Sequence, residues 1–141
     1  MSIVFQNFSD GTMGQVGRDG GRGDTEFITS EWTAASVDKV IYIAPRQIAV
    51  QSINARVTVA GTGGAATFIV RKVPSGTAIT AGTALHSGTF NIVGTVDTNQ
   101  AGVLSTTESD LILAAGDSIA IDFTGTLTSA TGVVTVGANP R

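Results

Sequence analysis

The sequence contains no cysteine, which rules out a disulfide framework and any zinc site built on thiolates. Histidine is almost missing as well, His86 being the single one. Charge is scarce: Asp, Glu, Lys and Arg make up 13% of the residues, against roughly 25% in an average soluble domain. What charge there is leans acidic, with a formal net charge of −3. A nucleic-acid binder would carry a basic face, so nucleic acid is excluded as an expected partner. No apolar run approaches the roughly 18–20 residues that cross a bilayer. The opening residues, Met1 to Phe8, have neither a basic segment nor a long apolar one. These features predict a soluble protein without a membrane partner, made without classical secretion.

What remains is Gly, Ser, Thr and Ala around a hydrophobic share of 42% in which aromatics contribute only 6%. A chain of 141 residues has the size of one domain and can bury a core without staples. A surface so poor in charge suits a protein whose faces are covered by other subunits.

The composition changes near residue 38. Before it, Asp10-Gly11-Thr12-Met13-Gly14 and Arg18-Asp19-Gly20-Gly21-Arg22-Gly23-Asp24 are glycine-rich and polar, with no helical apolar stripe. Residues 1–38 therefore read as an extended N-terminal arm, and 39–141 as the folded domain. An arm of this length is expected to be ordered by a neighbour if at all.

Strand patterns follow from Lys39. Residues 39–44 and 47–59 are β-branched runs, the first stopped by Pro45 and the second by Gly61-Thr62-Gly63-Gly64. Residues 66–73 form a third run, closed by Pro74-Ser75-Gly76. Thr89 to Ile92 alternates until Val93-Gly94 breaks phase like a bulge. Leu111-Ile112-Leu113, Ser118 to Phe123 and Gly132 to Gly137 complete the set. Short strands with turn signals at this spacing predict an all-β, antiparallel sandwich. Helix is expected at most for one turn near Ser105-Thr106-Thr107-Glu108, which mimics a capping box.

Catalytic chemistry finds little footing. His86 has no second histidine or cysteine to work with and is expected to be an ordinary surface or interface residue. Asp97, Glu108, Asp110, Asp117 and Asp122 could in principle supply a carboxylate pair. Asp117 falls in a turn and Asp122 on the polar side of its strand, as solvation alone predicts. Asp10, Asp19 and Asp24 match no calcium-loop spacing. Gly17 to Gly23 lacks the preceding strand and following helix of a phosphate loop. Arg22-Gly23-Asp24 spells an integrin-type tripeptide, a three-residue match of the kind that chance supplies. The expectation is no enzyme, no cofactor and no metal.

The segment Leu111-Ile112-Leu113-Ala114-Ala115-Gly116-Asp117-Ser118-Ile119-Ala120-Ile121-Asp122-Phe123-Thr124-Gly125-Thr126-Leu127-Thr128, together with Val73-Pro74-Ser75-Gly76-Thr77 and Gly82-Thr83-Ala84-Leu85, resembles tailed-bacteriophage virion proteins that decorate or cement capsids or form head fibres. The likeness spans roughly residues 47–137. It implies a jelly-roll-like sandwich, a homotrimer, the major capsid protein as partner, and a place on the capsid surface after synthesis in the host cytoplasm. Symmetric oligomers bury surface that a monomer would need to charge, in keeping with the composition.

On that reading Phe5, Phe8 and Trp32 would be apolar anchors of the arm, and Arg18 and Arg22 would pair with acidic capsid groups. The other reading has Phe5 and Phe8 in the protein's own sheet and the arginines solvated. The rival function is a carbohydrate- or receptor-binding module of a fibre. Trp32 and Tyr42 are the only Trp and Tyr, and at least one is expected to be buried, which weakens that rival.

Overall fold

The computed structural model describes residues 25–33, 38–125 and 128–141. Within them the chain is a two-sheet antiparallel sandwich. Its long strands are β1 (Glu26–Trp32), β2 (Lys39–Ile43), β3 (Ile48–Val59), β4 (Ala66–Val73), β11 (Ser118–Gly125) and β12 (Thr131–Pro140). Short pieces lie between β4 and β11: β5 (Thr83–Ala84), β6 (His86–Ser87), β7 (Phe90–Asn91), β8 (Asn99–Ala101), β9 (Val103–Leu104), α1 (Glu108–Leu111) and β10 (Ile112–Leu113).

Sheet I runs β10-β3-β12-β1, with β8 also on β3; sheet II runs β2-β11-β4-β5, with β7 also on β4. Among the described residues the first strand thus neighbours the last, and the second neighbours the last but one. The next two strands close the other sides of β12 and β11. This nested wrapping is jelly-roll connectivity, as the resemblance implied. The β6–β9 pair forms a separate ribbon.

Alternation drives the assembly. Ile53, Ala55 and Val57 on β3, and Val134 and Val136 on β12, are buried and face Phe68 and Val70 on β4 and Ile119 and Ile121 on β11. Phe68 sits at the centre of the aromatic cluster, 4.9 Å from Trp32, 5.0 Å from Phe90 and 5.7 Å from Phe123, centroid to centroid. Each aromatic ring of this kind removes about 150–250 Å² from water, so four of them carry much of a core otherwise made of Val, Ile and Ala.

Three expectations change. The boundary at residue 38 falls inside the sandwich's own territory, because β1 pairs with β12 from Glu26↔Ala138 to Trp32↔Gly132. Its inward face reads Ile28, Ser30, Trp32 while Phe27 points outward, so the sequence shows no alternation of apolar residues. Residues 1–24 of the expected arm lie outside the described residues. The helical turn is there, but its N-cap is Thr107, with no side-chain capping bond. The Ser105 hydroxyl instead accepts the Thr107 N–H at 3.1 Å and donates to Asp110 at 2.7 Å. The strand expected over residues 89–92 is reduced to Phe90–Asn91. Beyond it the Asn91 side chain accepts the Val93 N–H at 2.9 Å, and Gly94 takes φ 118° to turn the chain.

Candidate interaction surface

Of the residues singled out for partner binding, Phe5, Phe8, Arg18 and Arg22 lie outside the described residues. So do Asp10, Asp19, Asp24 and the Gly17–Gly23 stretch. Trp32 is described, and it is no exposed anchor: it is 2% exposed. Its ring is spent on Phe68, on Phe123 at 6.4 Å and on the backbone of β12 at Gly132. Among the described residues its indole Nε1 meets no acceptor. Tyr42 is half-buried and donates its hydroxyl to Glu26 at 3.2 Å. Burial first, and the Glu26 carboxylate second, hold its phenol above the ordinary value.

The acid–base candidates are distributed and internally engaged. His86 is buried, against expectation, because both ring nitrogens are satisfied inside the fold: Nε2 accepts the Val70 N–H at 3.0 Å and Nδ1 faces the Ser87 carbonyl at 3.2 Å. Asp122 is also buried, where solvation was expected, because Arg71 Nε reaches its carboxylate at 2.7 Å. A second Arg71 nitrogen donates to the Gly82 carbonyl at 2.9 Å, which draws the 74–82 loop over the outside of sheet II. Asp117 occupies its turn and accepts the Ala114 N–H at 2.9 Å. Asp97 pairs with Arg56 at 3.7 Å and Glu108 with Arg141 at 3.3 Å. Among the described residues, no three His, Asp or Glu side chains come together as a metal site would require. None of their helices is long and apolar enough to cross a membrane.

Among the described residues, the outer face of sheet I is exposed along β1 and β3. Strand parity puts Phe27, Thr29 and Glu31 of β1 on it, beside Val133 and Thr135 of β12 and Asn54, Arg56 and Thr58 of β3. Threonine hydroxyls pair across its strands, Thr29 with Thr135 at 3.3 Å and Thr58 with Thr131 at 2.9 Å. Such pairs hold the short side chains flat. Phe27 is 70% exposed. A shallow depression of about 200 Å³ lies between Asn54, Asn99, Val133 and Thr135, and a second of about 450 Å³ between Glu31, Thr58 and Thr131. This face can offer contact area and neutral hydrogen bonds; the groups gathered on it are not those of bond-making chemistry. Sequence reasoning missed it because its defining feature, small neutral residues in register on three strands, exists only once β1, β12 and β3 are paired.

No protein-family model matches the chain, and no curated protein matches it. Among solved structures it is similar to one from Bacillus endospore appendages, a family of disulfide-linked pili: 18% identity, 83% of this chain and 86% of that one covered, TM-score 0.41. It is also similar to a chain of the cyanophage Pam1 capsid asymmetric unit, with 11% identity, 96% and 97% covered, and TM-score 0.49. A third is infectious bursal disease virus, Gx strain, at 10% identity and TM-score 0.33, where 83% of this chain corresponds to 30% of that one.

Proposed function

We propose that this chain is a structural virion protein that binds the outside of a bacteriophage capsid as a symmetric oligomer, a trimer, and stabilises it by contact with the major capsid protein. It acts without catalysis and without a cofactor. The observation that supports this reading best is the outer face of sheet I. It is several strands wide and made largely of short uncharged side chains, with Glu31 and Arg56 of opposite sign among them, and it exposes Phe27. Aromatic anchors mark interfaces, and Phe27 supplies one on this face. The likeness of residues 111–128 to capsid-decorating proteins supports the same reading. Many copies on one capsid would gain avidity, so each contact can be weak.

Co-sedimentation of the purified chain with capsids assembled without it tests the proposal. Saturable binding that raises capsid melting temperature is the expected result; free chain left in the supernatant at every concentration would overturn it. The arm's part in this is tested by removing residues 1–24 only. A cut at residue 30 would take away most of β1. The fibre-module reading is not favoured, because Trp32 is enclosed and Tyr42 is tied to Glu26.

A further inference from the structure

Sheet II has a gap in its ladder, and an imidazole fills it. Strand β4 pairs with β5 at Arg71 and Lys72, and with β7 at Thr67 and Phe68. Between these two short partners the chain leaves the sheet and forms β6, which pairs with β9 in the ribbon. Val70 therefore faces the gap. Its carbonyl still accepts the Leu85 N–H at 3.0 Å. Its N–H donates to Nε2 of His86, also at 3.0 Å, in place of the carbonyl a continuous strand would have supplied.

The second ring nitrogen fixes the protonation state. Nδ1 faces the Ser87 carbonyl at 3.2 Å, an acceptor only, so Nδ1 carries the hydrogen. An imidazole that donates at Nδ1 and accepts at Nε2 is neutral. His86 is 4% exposed, and its ring lies 4.7 Å from that of Phe90.

We infer that His86 is an acid-released latch: a proton on Nε2 sets two N–H donors against each other across the gap, and the β6–β9 ribbon loosens from sheet II.

The charges around the ring offer the imidazolium no compensation. Arg71 on β4 is the cation that acts on the ring, and its own partner is Asp122 on β11. Lys72 on β4 turns away to the Ser109 and Ile112 carbonyls at 2.7 and 3.1 Å. Asp110 on α1 borders the same depression of about 390 Å³ as His86, but its carboxylate takes the Ser105 hydroxyl. Burial accordingly depresses the imidazole's proton affinity; the Ser87 carbonyl opposes this, and Arg71 adds to it. The depression brings water to the ribbon side of the ring, which gives the proton a route in. The latch is independent of the capsid reading, since it concerns only the chain's own sheet.

The test is NMR of the ¹⁵N-labelled full chain from about pH 8 to about pH 4.5, following the imidazole nitrogens and the Val70 amide exchange rate together. The expected result is a neutral Nδ1–H tautomer at the upper end. As the ring titrates, protection of the Val70 amide falls by roughly tenfold or more beyond the intrinsic pH dependence of exchange. His86→Gln keeps an acceptor near the Nε2 position without a charge, and its Val70 protection is expected to stay level. An Nε2–H tautomer at neutral pH would overturn the inference. So would Val70 protection that survives titration of the ring, or a ring still neutral with Val70 protected at the acid end. The wild-type spectra decide the matter even where the variant fails to fold.

Discussion

Gly132 lies against the indole of Trp32. A Cβ built at Gly132 would strike the Trp32 ring at Cζ2 and come within 2.5 Å of the Arg56 carbonyl oxygen. β12 thus leaves out a side chain where β1 inserts its largest one, and this pair closes β1 onto β12. Gly132→Ala is expected to destabilise the fold by about 1–3 kcal/mol through overpacking. Trp32→Ala is expected to cost about 3–5 kcal/mol through the cavity it leaves. Urea unfolding checks both; a Trp32→Ala variant as stable as the parent would contradict the placement of the ring.

The Arg71–Asp122 pair is a second test of packing. Their side chains are 18% and 10% exposed. Removing one partner leaves a nearly buried charge alone, at a cost of about 3–5 kcal/mol. Arg71→Met is expected to show such a loss, and adding Asp122→Leu to recover most of it. A double-mutant cycle by urea unfolding reads the coupling; strictly additive losses would mean the two side chains act separately.

The latch has a consequence for global stability, and its sign follows from linkage. The folded state holds His86 below its ordinary value, which is about 6.5 in an unfolded chain. The folded chain then binds this proton less readily than the unfolded one. The contribution is complete above about pH 6.5 and is lost as pH falls towards the folded value. His86→Gln is expected to flatten this part of the profile. At the alkaline end Tyr42 acts in the opposite sense. Its folded value is raised, so its contribution is intact below about pH 10 and is lost as pH climbs through the folded value. Tyr42→Phe is expected to remove that alkaline loss.

Phe27 separates surface from core on the same strand. Being 70% exposed, its change to Ser is expected to alter monomer stability by no more than about 0.5 kcal/mol. Should the outer face of sheet I be the subunit contact, the same change raises the concentration at which the oligomer dissociates. Sedimentation velocity on both proteins measures this, and an unchanged dissociation midpoint would move the contact elsewhere.

The strands that the sequence made legible are those in which one face is consistently apolar. Residues 66–73 are read from the sequence and observed with the same limits, and β2, β3, β11 and β12 deviate only at their ends. β1 was hidden because Ser30 interrupts its inward face and Phe27 decorates its outward one. The stretch between β4 and β10 resisted for another reason: its strands are two or three residues long and are held by side chains as much as by ladders. His86 reads locally as a surface or interface residue because its role, an acceptor for an amide sixteen positions earlier, depends on a break in pairing that no local pattern announces. Asp122 looked solvated because alternation points it outward; Arg71 on the neighbouring strand is what encloses it.

The most direct test of the central claim, a symmetric virion component, is the solution mass by light scattering over a wide range of concentrations. A stable trimer of three times 14.3 kDa is the expected result, with dissociation only on strong dilution. A mass of 14.3 kDa at every concentration would contradict it.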